Sequence, residues 1–475
     1  MSGTRVVILG AGPAGLGAAL ALARRGLEPT VVEARSDVGG NAGGFTLHGI
    51  PVDYGSHRLH PSTDPAILAE LRNLLGDKLL ERPRHGRILL GGRWIHFPLR
   101  PVDLGLHAPA SFVAGVMRDA AVRLLRGGPR ATGDADTFAS VLLRDLGPTI
   151  SNAFYFPYAR KIWGLAPEEI SPAQARRRVS SGSLEAMLVR LFSWSRGAAG
   201  GGPKGTFFYP REGFGQISRA LGRAATAAGA HLLLDTRARR LRVGEGSLTV
   251  EVDGPGGTRT LPCHHVWSTL PLTTLVGLAD PLPPHEVRHA ADALRSRAML
   301  LVYLVLEKDR FTEFDAHYFP SADVPFTRLS EPKNYSGRED LPGRTVLCAE
   351  IPCATSEEVW PSGPAELEAL VTRGLAAAGL PAPGRVLDVA VRRLPSAYPL
   401  YTVGYEEHLQ RVDAWVSGLP GVLTFGRQGL FAHDNTHHAL AMARAAAECL
   451  AHDGRFNRVR WRGHREAFTH HVVED

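Results

Sequence analysis

At 475 residues the chain is too long for one simple core and long enough for two domains, and its 44% hydrophobic and 21% charged residues are ordinary for a globular protein. A formal net charge of +7 favours anionic substrates or membrane headgroups as partners, although the same arginine-rich composition fits a merely solvated surface. The four cysteines, Cys263, Cys348, Cys353 and Cys449, form neither a CxxC pair nor a Cys/His cluster, so no disulfide framework and no metal site is expected, and a cytoplasmic location fits best.

The first element begins almost at once. Arg5-Val-Val-Ile-Leu-Gly10 predicts a strand buried on both faces, and the run from Gly15 through Leu16, Ala18, Leu20 and Ala23 predicts a helix packed against it. Glycines interrupt this apolar run immediately, so no secretory signal is expected, and no apolar run is long enough to span a bilayer. Gly10 permits the tight turn, Gly12 lets a pyrophosphate approach the backbone, and Gly15 lets the helix lie close to the strand. Phosphates would then sit on the N–H groups around Ala14 and on the positive end of the helix dipole. After a second apolar strand, Glu33, followed by Ala34, stands where an acid accepts hydrogen bonds from a ribose diol. Strand, helix, strand and acid in this order predict dinucleotide binding. A second glycine cluster, Gly39-Gly40-Asn41-Ala-Gly43-Gly44, would let a loop backbone pass over a large flat ligand, and a strand pair from Phe45 to Tyr54 ends in Gly55-Ser56-His57-Arg58.

Glu33, the Gly39-Gly40 doublet and Asp53-x-Gly55-x-His57 together resemble the FAD-binding glutathione-reductase-type superfamily, in the branch holding flavin amine oxidases, protoporphyrinogen oxidases and UDP-galactopyranose mutases. The resemblance implies an α/β fold: a Rossmann-type, glutathione-reductase-like FAD-binding domain interleaved with a mixed α+β substrate domain, and FAD as cofactor. It puts Gly39, Gly40, Asn41, Gly55, Ser56 and His57 near the ribityl chain and isoalloxazine. Amine oxidases usually carry an arginine directly after the doublet, and Asn41 here draws the match away from them. His57 is a candidate base if its pKa stays near neutral.

Residues 80 to 100 predict a hairpin leaving the nucleotide portion, and 103 to 200 read as helical, with apolar stripes from Ser111 to Leu125 and Thr137 to Leu146. A basic amphipathic helix of this kind leaves room for peripheral membrane contact. Within it, Tyr158, Lys161, Trp163 and later Arg178 interleave aromatics and cations that could stack on a ring and bind phosphate, and the Pro-Tyr-x-x-Lys-x-Trp-Gly run resembles mutase-like and protoporphyrinogen-oxidase-like flavoproteins. The chain returns to the nucleotide portion near Phe207, a helix from Ile217 to Ala228 follows, and a strand ending near Val243 is the expected adenine contact by resemblance. A second excursion holds the strand Met299 to Leu306 and a polar loop from Phe326 to Ser336, where Arg328 and Asn334 resemble substrate-facing residues. The block Tyr398-Pro-Leu-Tyr401-Thr-Val-Gly-Tyr405 resembles the tyrosine block near the mutase substrate, and Gly426-Arg427 with Asn435-Thr436 at a helix start resembles the segment completing the FAD site. The adjacent His264 and His265 point to opposite faces of a strand and are not expected to bind metal.

The organisation expected is an FAD portion from 1–102, 203–280 and 396–455, a substrate portion from 103–202 and 281–395, and a basic surface tail at 456–475. The resemblance implies an enzyme acting on a small, polar, anionic molecule, with no nucleic-acid partner. One reading is mutase-like: a sugar or sugar nucleotide handled through flavin N5, with His57, Arg328, Tyr398 and Tyr401 as the catalytic candidates. The other is an oxidase or dehydrogenase of a porphyrinogen, amine or sugar alcohol. Two glycine clusters and three FAD-contacting pieces would be needless in a non-catalytic scaffold.

Overall fold

The computed structural model describes residues 3–97, 103, 106–125, 137–178, 205–338 and 341–473. Val6–Leu9 is buried along its whole length and lies at the centre of a five-stranded parallel sheet, ordered Val422–Thr424, His265–Ser268, Val6–Leu9, Thr30–Val32, His231–Leu233. Burial on both faces is what a parallel sheet requires, because its crossover connections cover both sides. On one face the helix Pro13–Ala23 packs against Gln216–Ala227 and Thr436–Cys449 through small residues. A Cβ placed on Gly17 would stand 3.0 Å from Leu440 Cδ2. On the other face Val7, Leu9 and Val32 share a core with Leu241 and Val250 of a four-stranded sheet and with Val412 and Val416 of the helix Tyr405–Gly418.

A second, seven-stranded sheet runs Val386–Pro399, Ser296–Leu306, Thr345–Cys353, Arg328–Ser330, Ala316–Tyr318, Gly86–Leu90, Arg93–Phe97. Its neighbours are antiparallel except Ala316–Tyr318 with Gly86–Leu90. The hairpin expected around 80–100 is therefore present at 86–97, but it joins this sheet and not the nucleotide portion with which the sequence grouped it. The polar loop expected at Phe326 to Ser336 is instead a strand and a short helix, Pro332–Ser336, with Leu329, Tyr335 and Ser336 buried. Helices Ala110–Leu125, Phe138–Ile150, Phe156–Trp163 and Pro172–Arg178 form the roof. Thr137 opens the second of these by exchanging hydrogen bonds with Ser140, each backbone N–H donating to the other's hydroxyl at 3.2 Å.

The segment after 455 also differs from the expected surface tail. Arg458–Phe468 is a helix whose Trp461 and Phe468, seven residues apart and so on one face, are buried against the core while Arg458, Arg460 and Arg462 stay exposed. Among the described residues no helix is long and apolar enough to cross a membrane.

Candidate functional site

The parallel sheet ends in the turn that its sequence demands. Gly10 has φ +99°, and a Cβ on Gly15 would lie 2.0 Å from the Gly10 carbonyl oxygen, so helix and turn meet with no room for a side chain. Gly12 precedes the helix, Pro13 occupies its first turn, and no acidic residue stands there to cancel the positive dipole end. Glu33 is buried and held by two backbone donors: Ala11 N–H to Oε2 at 2.8 Å and Arg35 N–H to Oε1 at 3.0 Å. Its remaining lone pairs stay available to a diol.

The second glycine cluster folds over the first. Gly39 N–H donates to the Ala11 carbonyl at 2.8 Å, and Gly39 itself, at φ +123°, would place a Cβ only 2.6 Å from Gly43 Cα. Asn41 ties this loop to the strand Val386–Pro399, Nδ2 donating to the Ser396 carbonyl at 3.0 Å. His57 Nε2 lies 2.9 Å from both the Asn41 and Tyr54 carbonyl oxygens, and its ring stacks on Phe214 at 5.3 Å. Two carbonyl acceptors require a hydrogen on Nε2, which leaves Nδ1 as an acceptor. Burial, and then the Arg328 charge, push the imidazole pKa down to about 4. The condition set for His57 as a base, a pKa near neutral, is not met, and the residue is a fixed neutral imidazole that braces the loop.

A single cavity of about 430 Å³ joins these loops to the seven-stranded sheet. Gly10, Gly12, Ala14, Glu33, Gly40, Asn41, Gly55, Ser56, His57, Gly426, Arg427, Asn435 and Thr436 line it from the nucleotide side, and Tyr158, Arg328 and Tyr398 from the other. Arg427 is fixed by donating to the Ala397 carbonyl at 2.9 Å and the Asp434 carbonyl at 3.1 Å, with its guanidinium 5.2 Å from the Tyr398 ring centre. Asn435 is the extended residue before the helix Thr436–Cys449, whose amino end therefore points to the same space.

Opposite this end, Arg328 Nε and one terminal nitrogen meet Glu350 Oε1 and Oε2 at 2.8 and 2.9 Å, a bidentate pair. Burial works against the guanidinium charge but the Glu350 carboxylate outweighs it, so the pKa of Arg328 is raised and the group is permanently charged. Glu350 Oε1 also accepts from the Ser56 N–H at 2.7 Å, which ties the sheet to the loop carrying Gly55 and His57. Arg58 is held by Tyr318, Tyr335 and Asp315 at 3.1 to 3.2 Å. Met299 and Leu301 floor the cavity.

Several sequence candidates lie elsewhere. Val243 pairs with Leu248 in the four-stranded sheet and does not line the cavity; the part of that stretch beside Glu33 is Thr236, whose N–H donates to the Glu33 carbonyl at 2.8 Å. Ala34 is exposed, and Gly15 and Gly39 act through packing. Lys161 Nζ donates to the Phe319 and Ser321 carbonyls at 2.8 and 2.9 Å, and burial pulls its pKa down to about 7. Trp163 is core, edge-on to Phe138. Asn334 donates to the Thr312 and Phe314 carbonyls. Tyr401 and Tyr405 stack on each other at 4.3 Å inside the core, the Tyr401 hydroxyl donating to the Phe431 carbonyl, so neither reaches a ligand. The Arg178 side chain lies outside the described residues. The sequence reading missed Arg58, Thr269, Glu350 and Asp434, all of which line the cavity. A signal existed for Glu350, as it is the one charge within the apolar strand Thr345–Cys353.

The family model for flavin-containing amine oxidoreductases matches residues 13–450. The chain belongs to that family. The cavity fits a flavin dinucleotide: two interlocked glycine loops, a helix start without an acid, and a buried carboxylate with lone pairs open to a diol line one end. AofH of Mycobacterium tuberculosis, assigned as a flavin-containing monoamine oxidase, is 31% identical over 258 residues, 52% of this chain and 53% of that protein, so the chain spans about half the length of this relative. Among solved structures, reduced UDP-galactopyranose mutase superposes with a TM-score of 0.78 at 20% identity, covering 94% of both chains. A protein assigned as a protoporphyrinogen oxidase, from Exiguobacterium sp. 255-15, superposes with a TM-score of 0.71 at 20% identity, covering 94% of this chain and 98% of its own. At these identities what is shared is the fold.

Proposed function

We propose that this flavoenzyme acts in a mutase-like manner on a sugar or sugar nucleotide. The observation that carries this reading is the cavity wall where Arg328, clamped by Glu350, and Arg58, paired with Asp315, present guanidinium N–H donors beside Tyr158 and Tyr398. Hydroxyl and phosphate oxygens find donors there. No lysine is among the described cavity residues.

In this reading the amides at the start of helix Pro13–Ala23 hold the pyrophosphate of FAD, Glu33 accepts from its adenosine ribose, and the amino end of Thr436–Cys449 faces its flavin end. Bound FAD supplies a nucleophile when reduced and a hydride acceptor when oxidised. Arg328 orients an oxygen-rich substrate through the N–H groups that Glu350 leaves free, Met299 and Leu301 keep water from the floor, and Tyr398 packs against the sugar. The parallel sheet carries the FAD portion, and the seven-stranded sheet with its helical roof carries the substrate portion.

The test adds candidate sugar nucleotides to dithionite-reduced holoenzyme without oxygen. Isomerised product with the flavin still reduced supports the proposal. Bleaching of oxidised flavin by an amine, porphyrinogen or sugar alcohol, with no isomerisation, supports the oxidase reading instead, which family membership and the apolar floor favour.

A further inference from the structure

The family match ends at residue 450, yet the chain beyond it reaches the cavity. Helix Arg458–Phe468 is anchored by buried Trp461 and Phe468 and by Arg465, which donates to Asp413 Oδ1 at 2.9 Å. After it the chain turns back. His471 Nδ1 lies 3.2 Å from Asp434 Oδ1, and its ring stacks on that of His438 at 4.2 Å. Val473 N–H donates to the Arg177 carbonyl at 3.0 Å, and Val473 itself lines the cavity beside Asp434 and Asn435.

Asp434, His438 and His471 each bring one ligand atom within 4.8 Å of the others, as metal ligands would, and both histidine Nδ1 atoms lie 3.2 to 3.3 Å from Asp434 Oδ1. The two imidazole planes are parallel within 13°, however, so an ion in the plane of one ring would stand well off the plane of the other, where no lone pair points. A hydrogen-bonded latch fits this geometry better. Asp434 is the anchor: its carboxylate is buried at 1% exposure, and His438 and His471 hold its pKa down against the opposing effect of burial.

We propose that residues 469–473 form a strap closing the cavity beside the amino end of helix Thr436–Cys449, with Val473 as a ligand-contacting, specificity-determining residue and His471 as the residue that positions it. This rests on the cavity being the FAD and substrate site. A ligand approaching from this side meets a branched apolar side chain in place of solvent, and a bulky one enters only when the strap lifts from Asp434.

Three holoenzyme variants test it: one lacking residues 469–475, His471→Ala and Val473→Trp. The measurements are FAD content, iodide quenching of flavin fluorescence, the rate of FAD release and the melting temperature. Losing the strap or its latch raises quenching and release by about tenfold, the scale of one hydrogen bond to a charged group, while Val473→Trp lowers both. Unchanged quenching and release in His471→Ala and Val473→Trp overturns the strap, and those two decide the matter even if the deletion fails to fold. Wild-type protein that binds no FAD would sink the reading of the cavity itself, a result distinct from an unresponsive strap.

Discussion

The two ends of the cavity are built by different means. The nucleotide end is made almost wholly of backbone: glycine loops that interlock through Gly39 N–H and the Ala11 carbonyl, two helix starts, and one carboxylate fixed by main-chain donors. The opposite end is made of side chains from distant strands, with Arg328 and Glu350 clamped together and Arg58 caged by Tyr318, Tyr335 and Asp315. Backbone recognition tolerates any residue that leaves the chain path open. A side-chain wall fails when one member is lost, because its partner is left charged and buried.

The sharpest way to break the contrast is Glu350→Ala, which strands the Arg328 charge at the cavity wall and removes the acceptor of the Ser56 N–H. Removing one partner of a buried pair costs about 3–5 kcal/mol, to be read from urea unfolding of the holoenzyme. Gly15→Val attacks the other end through the backbone alone, since its Cβ has no space beside the Gly10 carbonyl. Overpacking there should cost about 3 kcal/mol and reduce FAD content in parallel, whereas Glu350→Ala should lose stability with FAD largely retained.

His57 stands where the two ends meet, and its pKa gives a signed prediction. The imidazole takes a proton near 6.5 when unfolded but only at about 4 when folded, so its contribution is complete above pH 6.5 and is lost as pH falls towards 4. Asp53 runs the other way: burial, opposed by its hydrogen bond from Tyr209, raises its pKa to about 6, so its contribution is complete below about 4 and is lost as pH rises through 6. The two offset each other in the wild type. Replacing His57 with Phe should expose the Asp53 trend, with a difference between the two proteins that changes by about 3 kcal/mol across this window, measured as unfolding free energy against pH.

Smaller effects follow at the ribose and beyond it. Glu33→Gln weakens FAD binding by about tenfold, the scale of one charge-assisted hydrogen bond, with little change in stability; an unchanged dissociation constant would remove Glu33 from the site. Val243→Thr, in the four-stranded sheet, should leave FAD affinity within about twofold, because Val243 is partly buried away from the cavity. A larger loss there would restore Val243 as an adenine contact and contradict its placement against Leu248.

The end made of backbone is the one that the chain announces locally. Strand, glycine turn, helix and acid are local in the chain, and the φ requirements of Gly10 and Gly39 leave few alternatives, so the glycine loops and Glu33 were legible, whereas Val243 and Ala34 were placed at a cavity they do not line. The other end depends on which distant strands the fold brings together. Tyr401, Tyr405, Trp163 and Lys161 carry suitable chemistry at suitable spacing, yet the fold turns them into core and carbonyl contacts, while Glu350 reaches the cavity from a strand that reads as pure core. The strap is the extreme case: Val473 is far in sequence from everything it meets, and no local pattern announces that His471 finds Asp434. Periodicity reports which face of an element is buried, not which neighbour buries it, and a site assembled from side chains of separate strands is a property of the neighbours.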